Sequence, residues 1–314
     1  MKEDNETFLP EEFILTGLTD HAVLKLILFV IFLFIYLAAV FGNLLSFALI
    51  KTDPCLHTPM YFFLSNLAIL EVCSASTVVP QMLSHLLAEK RVMPQICCAL
   101  QLFFFLTFAI AEIFLLTVMS YDRYVAICFP LHYLHLVTKQ VCILMAAACW
   151  MGALLFSVIN TAFTLKLSFG GHNKIDHFLC EMPAMVRSAC GGIYYAQMCM
   201  FISCVFTLIL PISLILVSYA CILYTVLGNH CSISKRKAIS TCSSHLTVVI
   251  LFFGSAISVY LGPHSSSSKE HLKMASVFYI VITPALNPII YSLRNKEVMQ
   301  AFKRPLKPDD FWLP

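Results

Sequence analysis

The chain has 314 residues, of which 60% are hydrophobic and only 12% charged, with a formal net charge of +3. A typical globular protein carries about twice that charged fraction, so composition excludes an ordinary soluble domain. The length that would otherwise make about two soluble domains is instead consumed by helices that cross a bilayer.

In chain order, residues 1–23 are polar and acidic and hold the sequon Asn5-Glu6-Thr7, which makes Asn5 a glycosylation acceptor on an outer segment. This stretch does not read as a cleavable leader, and the first apolar stretch is too long for the core of one. A helical span needs about 20 apolar residues to cross the hydrocarbon. No charged side chain falls between Lys25 and Lys51, which defines the first span. Residues 60–87 carry one charge, Glu71; residues 97–121 carry one, Glu112; residues 140–165 carry none. Residues 197–227, 238–261 and 274–293 complete a set of seven. Lipid cannot satisfy an open backbone amide, so each span is helical. Lys235, Arg236, Lys237, Arg294, Lys296, Lys303, Arg304 and Lys307 all sit close to span ends on one side, which places the C-terminus in the cytoplasm. The expected fold is therefore all-α: a seven-transmembrane helix bundle over residues 24–293, N-terminus outside. A cytoplasmic tail over 294–314 follows, with a short amphipathic helix after the seventh span.

Carboxylates in mid-bilayer are costly and face the bundle interior. Glu112 lies ten residues before Asp122, roughly 15 Å from the inner end, and Glu71 lies roughly 18 Å in from Pro59. Asn43 and Asn287 come out at comparable depth, so the four form a buried polar cluster. It reads either as helix–helix glue or as a site for a proton or a small cation such as sodium, shared by Glu71 and Glu112. Asp122-Arg123-Tyr124 ends the third span, where the Arg123 guanidinium can pair with its neighbour or swing to another helix. Pro211, Pro284 and Pro288 each remove a backbone hydrogen bond and favour a kink. Most of the fourteen cysteines fall inside spans; Cys97, Cys98, Cys180 and Cys190 lie on the outer side and are the candidates for a bridge.

Several motifs are more specific. Gly42-Asn43 lies in the first span, and Leu56-His57-Thr58-Pro59-Met60-Tyr61-Phe62-Phe63-Leu64-Ser65 leads into the second. Met119-Ser120-Tyr121-Asp122-Arg123-Tyr124-Val125-Ala126-Ile127-Cys128 closes the third, and Lys237-Ala238-Ile239-Ser240-Thr241-Cys242-Ser243-Ser244-His245-Leu246 opens the sixth. Pro284-Ala285-Leu286-Asn287-Pro288-Ile289-Ile290-Tyr291-Ser292-Leu293-Arg294-Asn295 closes the seventh. Over nearly its whole length the chain resembles the rhodopsin-like G-protein-coupled receptors, and within them the odorant receptors of land vertebrates.

That resemblance implies a receptor gated by a small-molecule odorant and coupled to a stimulatory heterotrimeric G protein that raises cyclic AMP. It implies membrane lipid as surroundings, no cofactor and no nucleic acid, and leaves open a chemosensory role outside olfactory tissue. Arg123 would be the switch facing the G protein, with Asp122 and Tyr124 beside it. Tyr219 and Tyr291 would be its active-state partners, and Asn287-Pro288 would belong to the same machinery. Cys98 would bridge to Cys180. His177, Cys180 and Glu181 then offer too few free ligands for a metal. Four positions depart from the family pattern: Gly170 replaces a cysteine, Cys97 a glycine, Glu71 an aspartate and Phe253 a tyrosine. A compensating Cys97–Cys190 bridge is one outcome.

By the same resemblance a ligand would lie among the outer halves of the third, fifth, sixth and seventh helices. Phe105, Leu106, Ala109 and Ile110 would meet Ser203, Cys204 and Thr207, with Phe253, Ala256, Ile257 and Tyr260 opposite and Val277 and Ile280 closing the wall. The pocket is expected to be mostly apolar with a few hydroxyls and no formal charge in its upper half, suited to a neutral molecule. Phe105 stands where amine receptors carry an aspartate. Ion channels and transporters also bury carboxylates, but an odd helix count without internal repeats argues against them. No Gly-x-Ser-x-Gly elbow or His-Glu-x-x-His pair is present, which argues against an enzyme.

Overall fold

The computed structural model describes residues 10–228, 232–261 and 269–293. The Asn5 sequon, the tail from residue 294 and the side chains of Lys235, Arg236 and Lys237 lie outside the described residues. Seven helices are long and apolar enough to cross a membrane. We number them α1 (Ala22–Thr52), α2 (Pro59–Leu87), α3 (Gln95–Cys128), α4 (Lys139–Thr164), α5 (Ile193–Gly228), α6 (Ser232–Tyr260) and α7 (residues 269–293). Most outrun the uncharged stretches in the sequence because long side chains let a charge sit beyond the hydrocarbon edge while its stem stays on apolar surface. Lys51, for example, folds its ammonium over the Phe47 ring, 5.5 Å from the centroid. Asp122, Arg123 and Tyr124 accordingly lie inside α3, which continues to Cys128.

Helix α1 keeps most of its apolar surface outward, with Phe34 and Phe41 exposed where lipid would lie. Its bond to the bundle is polar and close-packed. Asn43 donates from Nδ2 to the carbonyls of Ala39 and Pro284, both at 3.0 Å. One residue earlier, a Cβ on Gly42 would stand 3.2 Å from Pro288, so glycine lets α1 lie against α7.

Two of the prolines have a specific local effect. Pro211 and Pro284 offer no N–H to the carbonyls of Thr207 and Ile280, four residues back, and the chain answers with a wider turn. A π-helical turn covers Val205–Ile209 in α5, and another covers Phe278–Ile282 in α7. Each turn rotates the residues before it relative to those after it.

The outer face is more ordered than its polar sequence suggests. Strands β1 (Glu12–Leu15), β2 (Val92–Pro94) and β3 (Lys174–Ile175) form a sheet in the order β2-β1-β3. Phe13 pairs with Met93 in the antiparallel half and Leu15 with Ile175 in the parallel half. Phe13 and Leu15 point into the core while Glu12 and Ile14 point out, the alternation of a half-buried strand. Beyond the sheet Gly17 adopts a left-handed φ of 73°, and a Cβ there would meet the Arg91 guanidinium at 2.7 Å. Arg91 itself donates to the Thr19 carbonyl at 2.7 Å. Lys273 at the outer end of α7 reaches Asp176 at 2.7 Å, and Thr16 donates to the same carboxylate oxygen at 2.9 Å.

A disulfide joins Cys98 to Cys180, while Cys97 and Cys190 are both free, so no bridge compensates for Gly170. A Cβ on Gly170 would lie 3.6 Å from Cys190 Cβ and 3.5 Å from its Sγ. That separation falls in the range a disulfide spans. Closing the loop would stabilise by about 2–4 kcal/mol, against about 1 kcal/mol for placing a non-glycine residue at φ 55°. Gly170→Cys should therefore raise the Tm of purified receptor under oxidising conditions, and reduction should reverse the gain.

Candidate functional site

Between α3, α4, α5, α6 and α7 the bundle leaves a small, mostly apolar cavity. Helix α3 contributes Leu106, Ala109, Ile110 and Ile113, one stripe at i, i+3, i+4 and i+7. From α5 come Met200, Ser203, Cys204, Thr207 and Leu208, and from α6 come Phe252, Ala256 and Tyr260. Asn160 of α4, Tyr279 of α7 and Met182 complete the wall.

Of the residues named from the sequence, Leu106, Ala109, Ile110, Ser203, Cys204, Thr207, Ala256 and Tyr260 line this cavity, and Phe105, Phe253, Ile257, Val277 and Ile280 are outside its lining. On α6 the cavity takes residues at i, i+4 and i+8 starting from Phe252, so Phe253 and Ile257 are turned about 100° away. Phe253 is fully buried and packs edge-on to Phe252 at 6.1 Å. Phe105 sits one step off the α3 stripe and tilts against Tyr279, 5.8 Å between centroids. Val277 and Ile280 pack with Phe105 in an apolar cluster behind the wall, and Tyr279 faces the cavity from within the π-helical turn. Asn160 carries a sequence signal of its own, because a polar side chain within a span faces the bundle interior.

The loop from Phe178 to Met182 folds inward over this cavity, pinned to α3 by the Cys98–Cys180 bond and by the Cys180 N–H donating to Gln101 Oε1 at 3.0 Å. The cavity lining carries no charged side chain, and the loop buries the Glu181 carboxylate behind it. Glu181 is fully buried and accepts from Tyr279 at 3.4 Å and Ser276 at 3.5 Å. His177 Nε2 stands 3.2 Å from Glu181 Oε1. Burial first, then the Arg187 and Lys273 charges, hold His177 down at about 3. Burial pushes Glu181 up to about 7, against the pull of Arg187, Tyr279 and Ser276. No group of three or more metal-binding side chains occurs among the described residues.

Below the cavity, Glu71, Glu112, Asn287 and Asn43 are all buried. Asn287 Nδ2 donates to Glu71 Oε1, and Glu71 and Glu112 interact directly. Glu71 Oε2, Glu112 Oε1 and the Tyr291 hydroxyl have no hydrogen-bond partner among the described residues. Asn43 belongs to the α1–α7 contact rather than to the carboxylates.

At the inner end Arg123 is held by its neighbour, with Nη2 2.5 Å and Nε 3.0 Å from Asp122 Oδ2. The other Asp122 oxygen accepts from Tyr133 at 2.7 Å, a residue on the short helix Tyr133–Leu136 that follows α3. Tyr124 packs against Phe129, 5.7 Å between ring centroids. Tyr219 is engaged elsewhere: its hydroxyl lies 2.8 Å from His245 Nδ1, and the two rings stack at 5.8 Å. His245 belongs to the motif that opens the sixth span, and the fold shows it fully buried. Pro288 packs on Gly42 and Tyr291 remains buried beside the carboxylates.

A mostly apolar cavity on the outer side and an arginine hydrogen-bonded to its neighbouring aspartate on the inner side sit in a bundle of seven membrane-length helices, the architecture of a membrane receptor. A family model described as olfactory receptor matches residues 32–308. The chain is 47% identical over 304 residues to olfactory receptor 2D2 of Homo sapiens, covering 97% of this chain and 98% of that one. It is 46% identical over 294 residues to olfactory receptor 2C1 of Mus musculus, covering 94% of each. The chain belongs to the olfactory receptor family: a multi-pass plasma-membrane protein, and not an enzyme.

The His177–Glu181 pair has a pH signature. His177 is neutral in the fold and charges more readily when unfolded, so its contribution to stability is lost as pH falls from 6.5 towards 3. Glu181 is the reverse: its folded state holds the proton more tightly, so stability is lost as pH rises from 4.5 towards 7. Between pH 4.5 and 6.5 the two slopes, each up to about 1.4 kcal/mol per pH unit, oppose one another. Relative to the parent receptor, Glu181→Gln should therefore show a Tm that climbs steadily across that window, measured in detergent over a pH series.

Proposed function

We propose that this receptor binds small, mostly apolar, neutral odorants in the cavity among α3, α5, α6 and α7 and activates a stimulatory heterotrimeric G protein to raise cyclic AMP. The observation that carries the reading is that one helix serves both ends. Helix α3 supplies Ile113 to the cavity and Arg123 to the inner face, ten residues or roughly 15 Å apart.

The arrangement described is the resting one, in which Arg123 is committed to Asp122 and Tyr219 to His245. Activation requires α6 to carry His245 away at its inner end, freeing Tyr219 to approach a released Arg123. Ligand favours this only by the difference in its affinity for the two arrangements. Burial of apolar surface against Leu106, Ile110 and Phe252 supplies affinity, and the wall's hydroxyls supply orientation. The Glu71–Glu112 pair, with its unpartnered oxygens, holds a shared proton or one sodium ion between the cavity and the switch.

The test is cyclic AMP in cells with verified surface receptor, challenged with a broad panel of neutral odorants. Arg123→Ala should abolish a ligand-evoked rise at unchanged surface level. Tyr133→Phe removes a hydrogen bond to the Asp122 carboxylate worth about 1.5–3 kcal/mol and should raise ligand-independent cyclic AMP. A ligand-evoked current without G protein would overturn the reading.

A further inference from the structure

The polar groups of the cavity are not equivalent, because most of their protons are already committed. Asn160 of α4 is buried, and its Nδ2 donates twice: to the Phe156 carbonyl at 2.7 Å and to Ser203 Oγ at 2.8 Å. A backbone carbonyl can only accept, so the first bond fixes which end of the amide is nitrogen. The second bond then makes Ser203 Oγ an acceptor from Asn160, leaving the serine's own proton to point elsewhere. Its other neighbour is the Cys199 thiol, a weak acceptor. Thr207 lies one turn on, but its hydroxyl donates to the Ser203 carbonyl at 2.8 Å and presents only lone pairs. At the upper end Tyr279 donates to Glu181, and Tyr260 is engaged with Tyr279.

We infer that Ser203, held by Asn160, is the hydrogen-bond donor of this cavity, and that its ligands are acceptors without a proton of their own to place: ketones, aldehydes and esters with apolar tails. This rests on the ligand site proposed above and narrows its chemistry. A carbonyl oxygen arriving between α4 and α5 replaces the thiol as the acceptor for the Ser203 proton, while its hydrocarbon lies against Leu106, Ile110, Leu208 and Phe252. An alkane gains the burial without the bond. Asn160 is a positioning residue: it touches Ser203 and fixes the direction of its proton.

The experiment uses full-length receptor and 2-alkanones, alkyl acetates and n-alkanes of matched chain length. Binding is read as the concentration-dependent rise in Tm of purified receptor, and signalling as cyclic AMP. One hydrogen bond corresponds to a preference of about tenfold for ketone and ester over alkane. Ser203→Ala should erase that preference, Ser203→Thr should retain it, and Asn160→Leu should weaken it without a matching loss of alkane binding. Asn160→Leu should have no further effect on the preference in a Ser203→Ala background. A merely structural asparagine would instead lower all ligands alike. Equal potency of alkanes and ketones, a preference that survives Ser203→Ala, or no Tm shift with any of these compounds would overturn the inference. Binding with the stated preference but without a cyclic AMP rise would uphold it and count against the signalling reading instead.

Discussion

Within a bilayer a polar side chain has no water to turn to, and this constraint shapes nearly every specific contact in the bundle. Apolar surface does not hold the helices together strongly, because lipid tails are as apolar as leucine. What distinguishes one arrangement from another is where the few polar groups find each other. Asn43 locks α1 to the Pro284 carbonyl on α7, Asn287 reaches Glu71 across to α2, Asn160 joins α4 to Ser203 on α5, and Tyr219 joins α5 to His245 on α6. These four contacts tie six of the helices into two chains, α1–α7–α2 and α4–α5–α6. Each links a helix to another by groups that would otherwise be buried unpaired, so breaking one is costly unless a second partner is ready.

That condition separates structural joints from moving ones. Asn43 donates to two backbone carbonyls and has nowhere else to go. In the proposed activation Tyr219 exchanges His245 for an Arg123 released by Asp122. The inner end is therefore the place where the bundle can exchange one satisfied arrangement for another at little net cost. The proline-induced π turns serve the same division. They sit at mid-helix in α5 and α7, and Thr207, Leu208 and Tyr279 of the cavity wall lie within them, so the wall and the inner halves meet at these turns.

Much of this was legible in the sequence. Seven long apolar stretches, two of them with a single carboxylate, dictate seven helices, and the depths of Glu71, Glu112 and Asn287 follow from counting residues at the helical rise. Of the α3 residues named by resemblance, Leu106, Ala109 and Ile110 line the cavity and Phe105 does not. What escaped was phase and everything non-local. Phe253 and Ile257 were placed in the cavity and Phe252 was not, a difference of one residue that sequence spacing alone cannot fix without knowing how α6 is rotated. In α7 the π turn alters the rotation again, which brings Tyr279 to the wall in place of Val277 and Ile280. The outer sheet was invisible because its strands are two to four residues long and lie in three separate segments.

The loop that carries Cys180 shows how a covalent constraint changes the meaning of its neighbours. By composition Glu181 is one more carboxylate on an outer loop, expected in water. The bond to Cys98 draws it inward, and there it must be hydrogen-bonded or protonated. It is met by Tyr279 and Ser276 from α7 and by His177 from its own loop. Tyr279 in turn lines the cavity, so the loop, the seventh helix and the ligand space are mechanically one unit at the outer end. A ligand that presses on Tyr260 or Tyr279 therefore acts on α6 and α7 together against a loop fixed to α3. A force between those helices at the top, with Asn43 fastening α7 at mid-depth, is what a rocking of α6 about the bundle requires.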